Sequence, residues 1–141
     1  MKYLVPILAT LLITAVAVAQ NDPSEKGAAM LKAVVHVNYN GADRQKKMLG
    51  NIENILEGEP TAEIEVVSHG GGMSLIQRSK AKHASQVQAL IKRGVRFVGC
   101  ENTMEKKNID KADLLEGVIT VPSGAVEVIK RQQDGFGYFR P

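Results

Sequence analysis

The single cysteine of the chain, Cys100, is the residue best suited to nucleophilic chemistry. It follows the apolar stretch 95–99, which predicts a strand, and it precedes a stretch with helical character. Free N–H groups at a helix N-terminus favour the thiolate, the reactive form of cysteine, whereas the neighbouring acids Glu101 and Glu105 oppose it. Two interpretations stay open from these residues: a reactive thiolate, or a buried cysteine that packs as a small apolar side chain.

A histidine and three glycines follow the second predicted strand, at positions 69–72. Glycine lets backbone N–H groups approach a ligand, so this segment could line a pocket for an anion or a thiol compound. His69 would then serve as a base or an orienting group, and a flexible turn is the alternative. A lipase-type oxyanion loop is not supported, because positions 72–76 read Gly-Met-Ser-Leu-Ile and lack the Gly-x-Ser-x-Gly motif.

The sequence contains no motif for metal binding or for nucleotide binding. The histidines at 36, 69 and 83 lack metal-ligand spacing, and a lone cysteine allows no Cys-x-x-Cys pair. Neither a phosphate-binding loop nor a Gly-x-Gly-x-x-Gly motif is present. We therefore expect no metal and no organic cofactor. His36, in a buried strand, is predicted to be a satisfied core or interface residue, and His83 to lie on a helix surface.

Composition disfavours nucleic acid as a partner. The 141 residues carry 18 Lys and Arg against 15 Asp and Glu, a net charge of +3 that is spread along the chain without a basic arm. Tryptophan is absent and aromatic residues make up 4%, so stacking platforms for single-stranded nucleic acid are not expected. The length fits one domain.

The first 19 residues have the pattern of a secretory signal peptide. Lys2 precedes an uncharged apolar stretch, and Ala17-Val18-Ala19 provides a small-x-small cleavage site before Gln20. We expect cleavage there, a periplasmic product and no membrane association afterwards; an uncleaved anchor is the alternative. Positions 20–30 are polar and small, which indicates a linker or a loose N-terminus, and the folded domain is predicted over 31–141.

Strand and helix patterns alternate along that domain. Strands are predicted near 31–37, 62–68, 95–99 and 118–121, and helices from about Asp43 to Gly58, near 80–92, near 101–109 and after 124. The aromatic tail 136–139 could add a fifth strand that covers a sheet edge of its own chain or of a neighbour. The alternation predicts an α/β, three-layer sandwich: a mainly parallel sheet of four to five strands with helices on both faces.

This topology predicts where a ligand would bind. In an open parallel sheet, ligands bind beyond the carboxyl ends of the strands, where the loops 38–41, 68–72, 100–103 and 122–124 meet. Cys100 and His69 are the candidate catalytic residues at that edge. The candidate ligand-binding residues are Asn38, Gly70, Gly71, Gly72, Glu101, Asn102 and Thr103.

Several strand ends resemble those of the DsrE/DsrF-like family. The resemblance covers about residues 31–141 and is most specific around the cysteine. The segments that carry it are Phe97-Val98-Gly99-Cys100 with Glu101-Asn102-Thr103-Met104, Val66-Val67-Ser68-His69-Gly70, Val35-His36-Val37-Asn38 and Val121-Pro122-Ser123-Gly124-Ala125-Val126.

The resemblance implies a small α/β sandwich and homo- or hetero-oligomers, often trimers or hexamers. It further implies that Cys100 carries sulfur as a persulfide, which it takes from a donor and passes to an acceptor protein. Well-understood members are cytoplasmic and serve tRNA thiolation or sulfur oxidation, whereas an exported protein does not reach tRNA. We therefore expect a periplasmic sulfur carrier or sulfurtransferase-like protein. The alternative is a non-catalytic oligomeric binding module for a small anion or thiol compound, in which Cys100 is structural.

Overall fold

The computed structural model describes residues 30–141, so the predicted signal peptide and nearly all of the predicted linker lie outside the described residues. Within these residues, five strands alternate with four α-helices, and two short 3-10 turns, Gly70–Leu75 and Lys111–Asp113, lie between them. The strands are β1 (Lys32–Val37), β2 (Glu63–Ser68), β3 (Arg96–Cys100), β4 (Ile119–Val121) and β5 (Gly137–Phe139). The helices are α1 (Ala42–Gly58), α2 (Ala84–Lys92), α3 (Glu101–Lys107) and α4 (Gly124–Gln133).

The strands form one parallel sheet in the order β4-β3-β2-β1-β5. This confirms the predicted α/β class and its parallel sheet. The aromatic tail forms the fifth strand, and it pairs with β1 of its own chain through Ala33↔Gly137 and Val35↔Phe139. The tail thus covers an edge of its own sheet.

The strand order explains why the helices lie on two faces. From β1 to β4 the chain moves across the sheet in one direction, and right-handed crossovers place the intervening helices on one face. The connection from β4 to β5 runs back across the sheet to the far side of β1, so the same handedness places α4 on the opposite face. There α4 packs across β1, β2 and β3.

The two faces carry cores of different size. The larger core joins alternate strand residues to the apolar stripe of α1 and to α2; its members include Val35, Val66, Phe97, Met48, Ile52 and Leu90. The smaller core, under α4, consists of Val34, Val67, Val98, Val128 and Phe136. A buried Glu65 on this second face pairs with Arg131 of α4 at 3.0 Å and with Arg96 at 3.3 Å. Both the smaller core and this ion pair hold α4 against this side of the sheet.

Two helices are shorter than their sequence pattern predicts. The segment before α2 is held in turns by hydrogen bonds from the N–H groups of Lys80 and Ala81 to the Gln77 carbonyl, so α2 begins at Ala84. Helix α3 ends at Lys107 because Asn108 takes the left-handed conformation, with φ of 50°. Among residues 30–141, no helix is both long and apolar enough to cross a membrane.

Candidate functional site

Three neighbouring strands end in the same pattern on the face covered by α4. Each carries a core valine, and two positions later, on the same face, a polar or nucleophilic residue. The pairs are Val34 and His36 in β1, Val67 and His69 after β2, and Val98 and Cys100 in β3. Because the strands are parallel, the last residue of each pair lies at the carboxyl edge of the sheet, where the sequence predicts a ligand site.

Cys100 is the last residue of β3, directly before α3, and its side chain is 5% exposed. Burial raises the pKa of the thiol. The backbone N–H of Gly124, the hydroxyl and N–H of Thr103 and the N–H of Asn102 together lower it by more, so that the pKa lies below its ordinary value. Within the described residues, the Cys100 side chain makes no capping hydrogen bond to α3. The site therefore favours the thiolate.

Thr103 connects the cysteine to the glycine segment. Its hydroxyl oxygen accepts a hydrogen bond from the Gly70 N–H at 3.1 Å, while the hydroxyl proton is available to the sulfur. The Lys107 ammonium donates to the Gly70 carbonyl at 2.7 Å. Both the N–H and the carbonyl of Gly70 are thus hydrogen-bonded to side chains of α3. These two contacts fix the position of the 3-10 turn beside Cys100.

Gly124, the first residue of α4, lies between the two candidate catalytic residues. A Cβ added at Gly124 would lie 3.1 Å from the Cβ of His69 and 3.2 Å from the Cβ of Cys100. Only a residue without a side chain lets α4 begin this close to the carboxyl ends of β2 and β3. This close approach brings the Gly124 N–H to the sulfur.

His69 is hydrogen-bonded to His36 instead of to the cysteine. The Nε2 atoms of the two imidazoles lie 2.6 Å apart, and the Nδ1 atom of His36 lies 2.8 Å from the Tyr138 hydroxyl. Burial lowers the pKa of both histidines, and for His36 the positive charges of His69 and Arg140 lower it further. Both rings therefore favour the neutral form.

The predicted residues divide into two groups. The structure gathers Cys100, His69, Gly70, Asn102 and Thr103 around the end of β3. The remaining predicted residues have other partners. The Glu101 carboxylate accepts a hydrogen bond from Thr120 at 2.7 Å and pairs with Lys111 at 3.1 Å, and these contacts lower its pKa. Asn38 accepts a hydrogen bond from Arg140 at 2.8 Å.

Gly71 and Gly72 have a packing reason for lacking side chains. A Cβ at Gly72 would lie 1.9 Å from the Val37 carbonyl oxygen, and one at Gly71 would lie 2.9 Å from the Asn40 nitrogen. These glycines let the segment after β2 pass directly against the segment after β1. His83, predicted on a helix surface, precedes α2, and its Nε2 atom contacts the Ala42 carbonyl at 2.9 Å.

Within residues 30–141, no three His, Cys, Asp or Glu side chains lie close enough together to hold a metal ion. What the site offers chemically is a cysteine beside N–H and O–H groups that lower its pKa, next to two imidazoles whose pKa values are lowered by burial. Such a site suits nucleophilic attack by sulfur and storage of an anionic sulfur species.

A family model described as the DsrE/DsrF-like family matches residues 14–141. The chain belongs to the DsrE/DsrF-like family. This confirms the resemblance seen at the strand ends. Most of the chain is covered by the match, including every strand and helix of the described residues.

Two solved structures share the DsrE-like fold. One, MTH1491 from Methanobacterium thermoautotrophicum, described as a protein of unknown function, has 32% sequence identity and a TM-score of 0.75, with 79% of this chain and 99% of that chain covered. The other, the ychN protein from E. coli, has 14% identity and a TM-score of 0.65, with 79% of this chain and 100% of that chain covered. The comparison with curated proteins gave no match.

Two members of the site were not predicted from the sequence: His36 as the partner of His69, and Tyr138 as the partner of His36. The expectation that His36 is a satisfied residue agrees with its hydrogen bonds, but its place beside His69 was not foreseen. The signal was present, because the alternation that puts Val34 under α4 also puts His36 there. Tyr138 lies 102 residues from His36 along the chain, and only the pairing of β5 with β1 brings the two together.

Proposed function

We propose that this protein is a sulfur carrier of the DsrE/DsrF-like family that holds sulfane sulfur as a persulfide on Cys100 and acts in the periplasm. One observation carries the proposal: hydrogen-bond donors from two elements, α3 and the start of α4, converge on a sulfur that ends a strand, and they lower its pKa despite burial. A cysteine that only fills space has no need of such donors.

The chemistry follows from the thiolate. The Cys100 sulfur attacks the outer sulfur of a donor persulfide, a new S–S bond forms, and the old S–S bond breaks to release the donor as a thiolate. When the sulfur is passed on, the negative charge returns to the Cys100 sulfur, so the N–H groups of Gly124, Thr103 and Asn102 that favour the thiolate also stabilise it as the leaving group. An acceptor thiolate then attacks the terminal sulfur and regenerates Cys100.

A second copy of the chain is the partner that we propose for the α4 face. Three large apolar side chains on this side are 42–57% exposed: Ile119, Val126 and Ile129. Ile119 pairs in register with Val98, so it lies on the face that α4 covers incompletely. Light scattering at micromolar concentration should give a homo-oligomer, a trimer or hexamer, that Ile129→Glu dissociates and Asn54→Glu, on exposed α1 surface, leaves intact. A monomeric wild-type protein would contradict this proposal.

One observation favours the second candidate function, a binding module without sulfur transfer. Cys100 is only 5% exposed, which is the environment of a structural cysteine. In that case the loops beyond the strands would bind a small anion or thiol compound, and Cys100→Ala would keep both ligand binding and assembly.

The pH dependence of alkylation separates the two functions. Iodoacetamide is added to the native and the urea-unfolded protein between about pH 5 and pH 9, and the rate of Cys100 modification is followed by mass. The carrier function predicts modification of the native protein, with an apparent pKa below that of the unfolded chain. A thiol that reacts only after unfolding would overturn the carrier proposal and favour the binding module.

A further inference from the structure

Three titratable side chains form a continuous hydrogen-bonded chain along the α4 face. The chain runs from Tyr138 on β5, through His36 on β1, to His69 after β2, with contacts of 2.8 Å and 2.6 Å. We infer that Tyr138, His36 and His69 form a proton relay that gives a proton to the sulfur leaving the donor and takes one from the sulfur of the acceptor. This inference rests on the proposed carrier function.

The imidazole geometry suits proton transfer between the rings. The ring planes are tilted by 14° and their centroids lie 4.8 Å apart, so with Nε2 atoms 2.6 Å apart the rings meet edge to edge through nitrogen. Two arrangements of protons satisfy every contact. In one, Tyr138 donates to His36 Nδ1 and His36 donates from Nε2 to His69 Nε2. In the other, His69 donates to His36 and His36 donates to the tyrosine oxygen.

The environment keeps both arrangements accessible. Burial and the positive charge of Arg140 favour neutral His36, and burial favours neutral His69. The 2.6 Å contact between the two Nε2 atoms then requires a proton on one of them. At the outer end, Tyr138 is 48% exposed and can exchange its proton with water. The relay therefore joins solvent at the sheet edge to the partly buried His69.

The inner end of the relay lies beside the cysteine. β2 is located between β1 and β3, and the Cβ atoms of His69 and Cys100 both border the position of a Cβ on Gly124. Because the Nε2 atom of His69 is directed at His36 on β1, Nδ1 lies on the part of the ring that faces away from β1. Cys100 is stabilised as thiolate by Gly124, Thr103 and Asn102 without a histidine, so the proton of His69 remains available to a second sulfur.

The two half-reactions then balance. In loading, the Cys100 thiolate, a donor R–S–SH and one proton from His69 Nδ1 give the Cys100 persulfide in its S–SH form and R–SH. His69 is reprotonated at Nε2 by His36, His36 at Nδ1 by Tyr138, and Tyr138 by water. In unloading, the acceptor thiol gives its proton to the now vacant Nδ1 of His69, and its sulfur takes the terminal sulfur from Cys100. The reverse shift along the relay restores the first arrangement.

The test compares two sulfur donors, of which one has a leaving group that must be protonated and the other does not. An alkyl persulfide releases an alkyl thiolate, which must be protonated, whereas thiosulfate releases sulfite, which is stable as an anion. Single-turnover loading of Cys100 is measured by mass for wild type, His36→Gln, His69→Gln and Tyr138→Phe. We expect the ratio of the alkyl persulfide rate to the thiosulfate rate to fall about 100-fold in the histidine variants and about 10-fold in Tyr138→Phe.

Matched controls come from the same chain. His83→Gln removes a histidine outside the relay, and Tyr39→Phe removes a buried hydroxyl for which residues 30–141 provide no hydrogen-bond partner. Both should keep the wild-type ratio. An unchanged ratio in the relay variants overturns the relay while leaving the carrier function intact. A wild-type protein that accepts sulfur from neither donor overturns the carrier function itself.

A second measurement tests the relay in the wild-type protein, so its main result does not require the histidine variants to fold. In ¹H–¹⁵N spectra of the wild-type imidazoles, the proton shared by the two Nε2 atoms should resonate at unusually low field and correlate with both His36 and His69. Tyr138→Phe should shift the tautomer balance of His36, and Tyr39→Phe should not. Two imidazoles with independent, solvent-exchanging N–H signals would overturn the relay.

Discussion

A Cβ atom on Gly124 would lie 3.2 Å from the Cβ of Cys100. The start of α4 therefore lies so close to the end of β3 that a methyl group at position 124 would force its neighbours to move by a few tenths of an ångström. The same approach brings the Gly124 N–H to the Cys100 sulfur, where it lowers the pKa of the thiol. Because Gly124 has no side chain, the packing of α4 on the smaller core also sets the environment of the Cys100 sulfur.

Gly124→Ala should separate that N–H from the sulfur. The added methyl group contacts His69 and Cys100 at distances that require both to move. We expect a loss of about 1–3 kcal/mol in the free energy of unfolding and a rise in the thiol pKa. The apparent pKa from alkylation rates, measured beside a urea melt, checks both effects. An alanine variant with wild-type pKa would show that Gly124 plays no part in activating the thiol.

Thr103→Val should raise the thiol pKa without distorting the backbone. The variant keeps the shape of the side chain but removes the hydroxyl that accepts from Gly70 and faces Cys100. The loss of one hydrogen bond of about 1 kcal/mol corresponds to a rise of about one pKa unit. Thr61→Val, on an exposed turn, is the matched control and should leave the alkylation profile unchanged. Equal profiles for the two variants would contradict the assigned role of Thr103.

Gly72→Ala should be among the most damaging substitutions in the fold. Its Cβ would overlap the Val37 carbonyl oxygen, a backbone atom that cannot move without disrupting β1. We expect a loss of more than about 3 kcal/mol in a urea melt. Gly50→Ala, in the interior of α1 with open space around it, should instead gain about 0.5–1 kcal/mol. Similar effects at both positions would show that the segment after β2 can move away from β1 without loss of stability, which contradicts this prediction.

The histidine pair should make stability depend on pH in the mildly acidic range. Burial lowers the pKa of His36 and His69 in the folded protein, so the unfolded chain binds protons first as the pH falls below about 6.5. The stability contributed by the neutral pair is complete above that pH and is lost as the pH falls through the folded pKa values. His36→Gln/His69→Gln should therefore flatten the decline in urea midpoints between about pH 7 and pH 5. His83→Gln should keep the wild-type slope, and an unaltered slope in the double variant would contradict this prediction.

Much of the fold follows from local patterns in the sequence. Runs of β-branched residues bounded by glycine and proline mark the strands, and their alternation with helices requires a parallel sheet. The sheet order does not follow in the same way. β5 has only three residues, and its pairing with β1 depends on the long return crossover through α4.

Site residues could be predicted where their positions follow from the order of strands and helices. They could not be predicted where their positions depend on pairing between strands that are distant in sequence. Cys100, His69 and Thr103 lie together because parallel strands end at one edge, which the order of elements implies. Tyr138 joins them only through the register of β5, so no pattern near the cysteine points to it. Gly71 and Gly72, in turn, resemble a ligand loop in sequence because close backbone packing and ligand approach both require glycine.

The most direct test of the account is the intact mass of the native protein after incubation with a persulfide donor. Wild type and Cys100→Ser are compared before and after a thiol reductant. We expect that the wild-type protein gains one sulfur atom, that the reductant removes it, and that Cys100→Ser gains none. A folded wild-type protein with an alkylatable Cys100 that gains no sulfur would contradict the central claim, as would a Cys100→Ser protein that gains it.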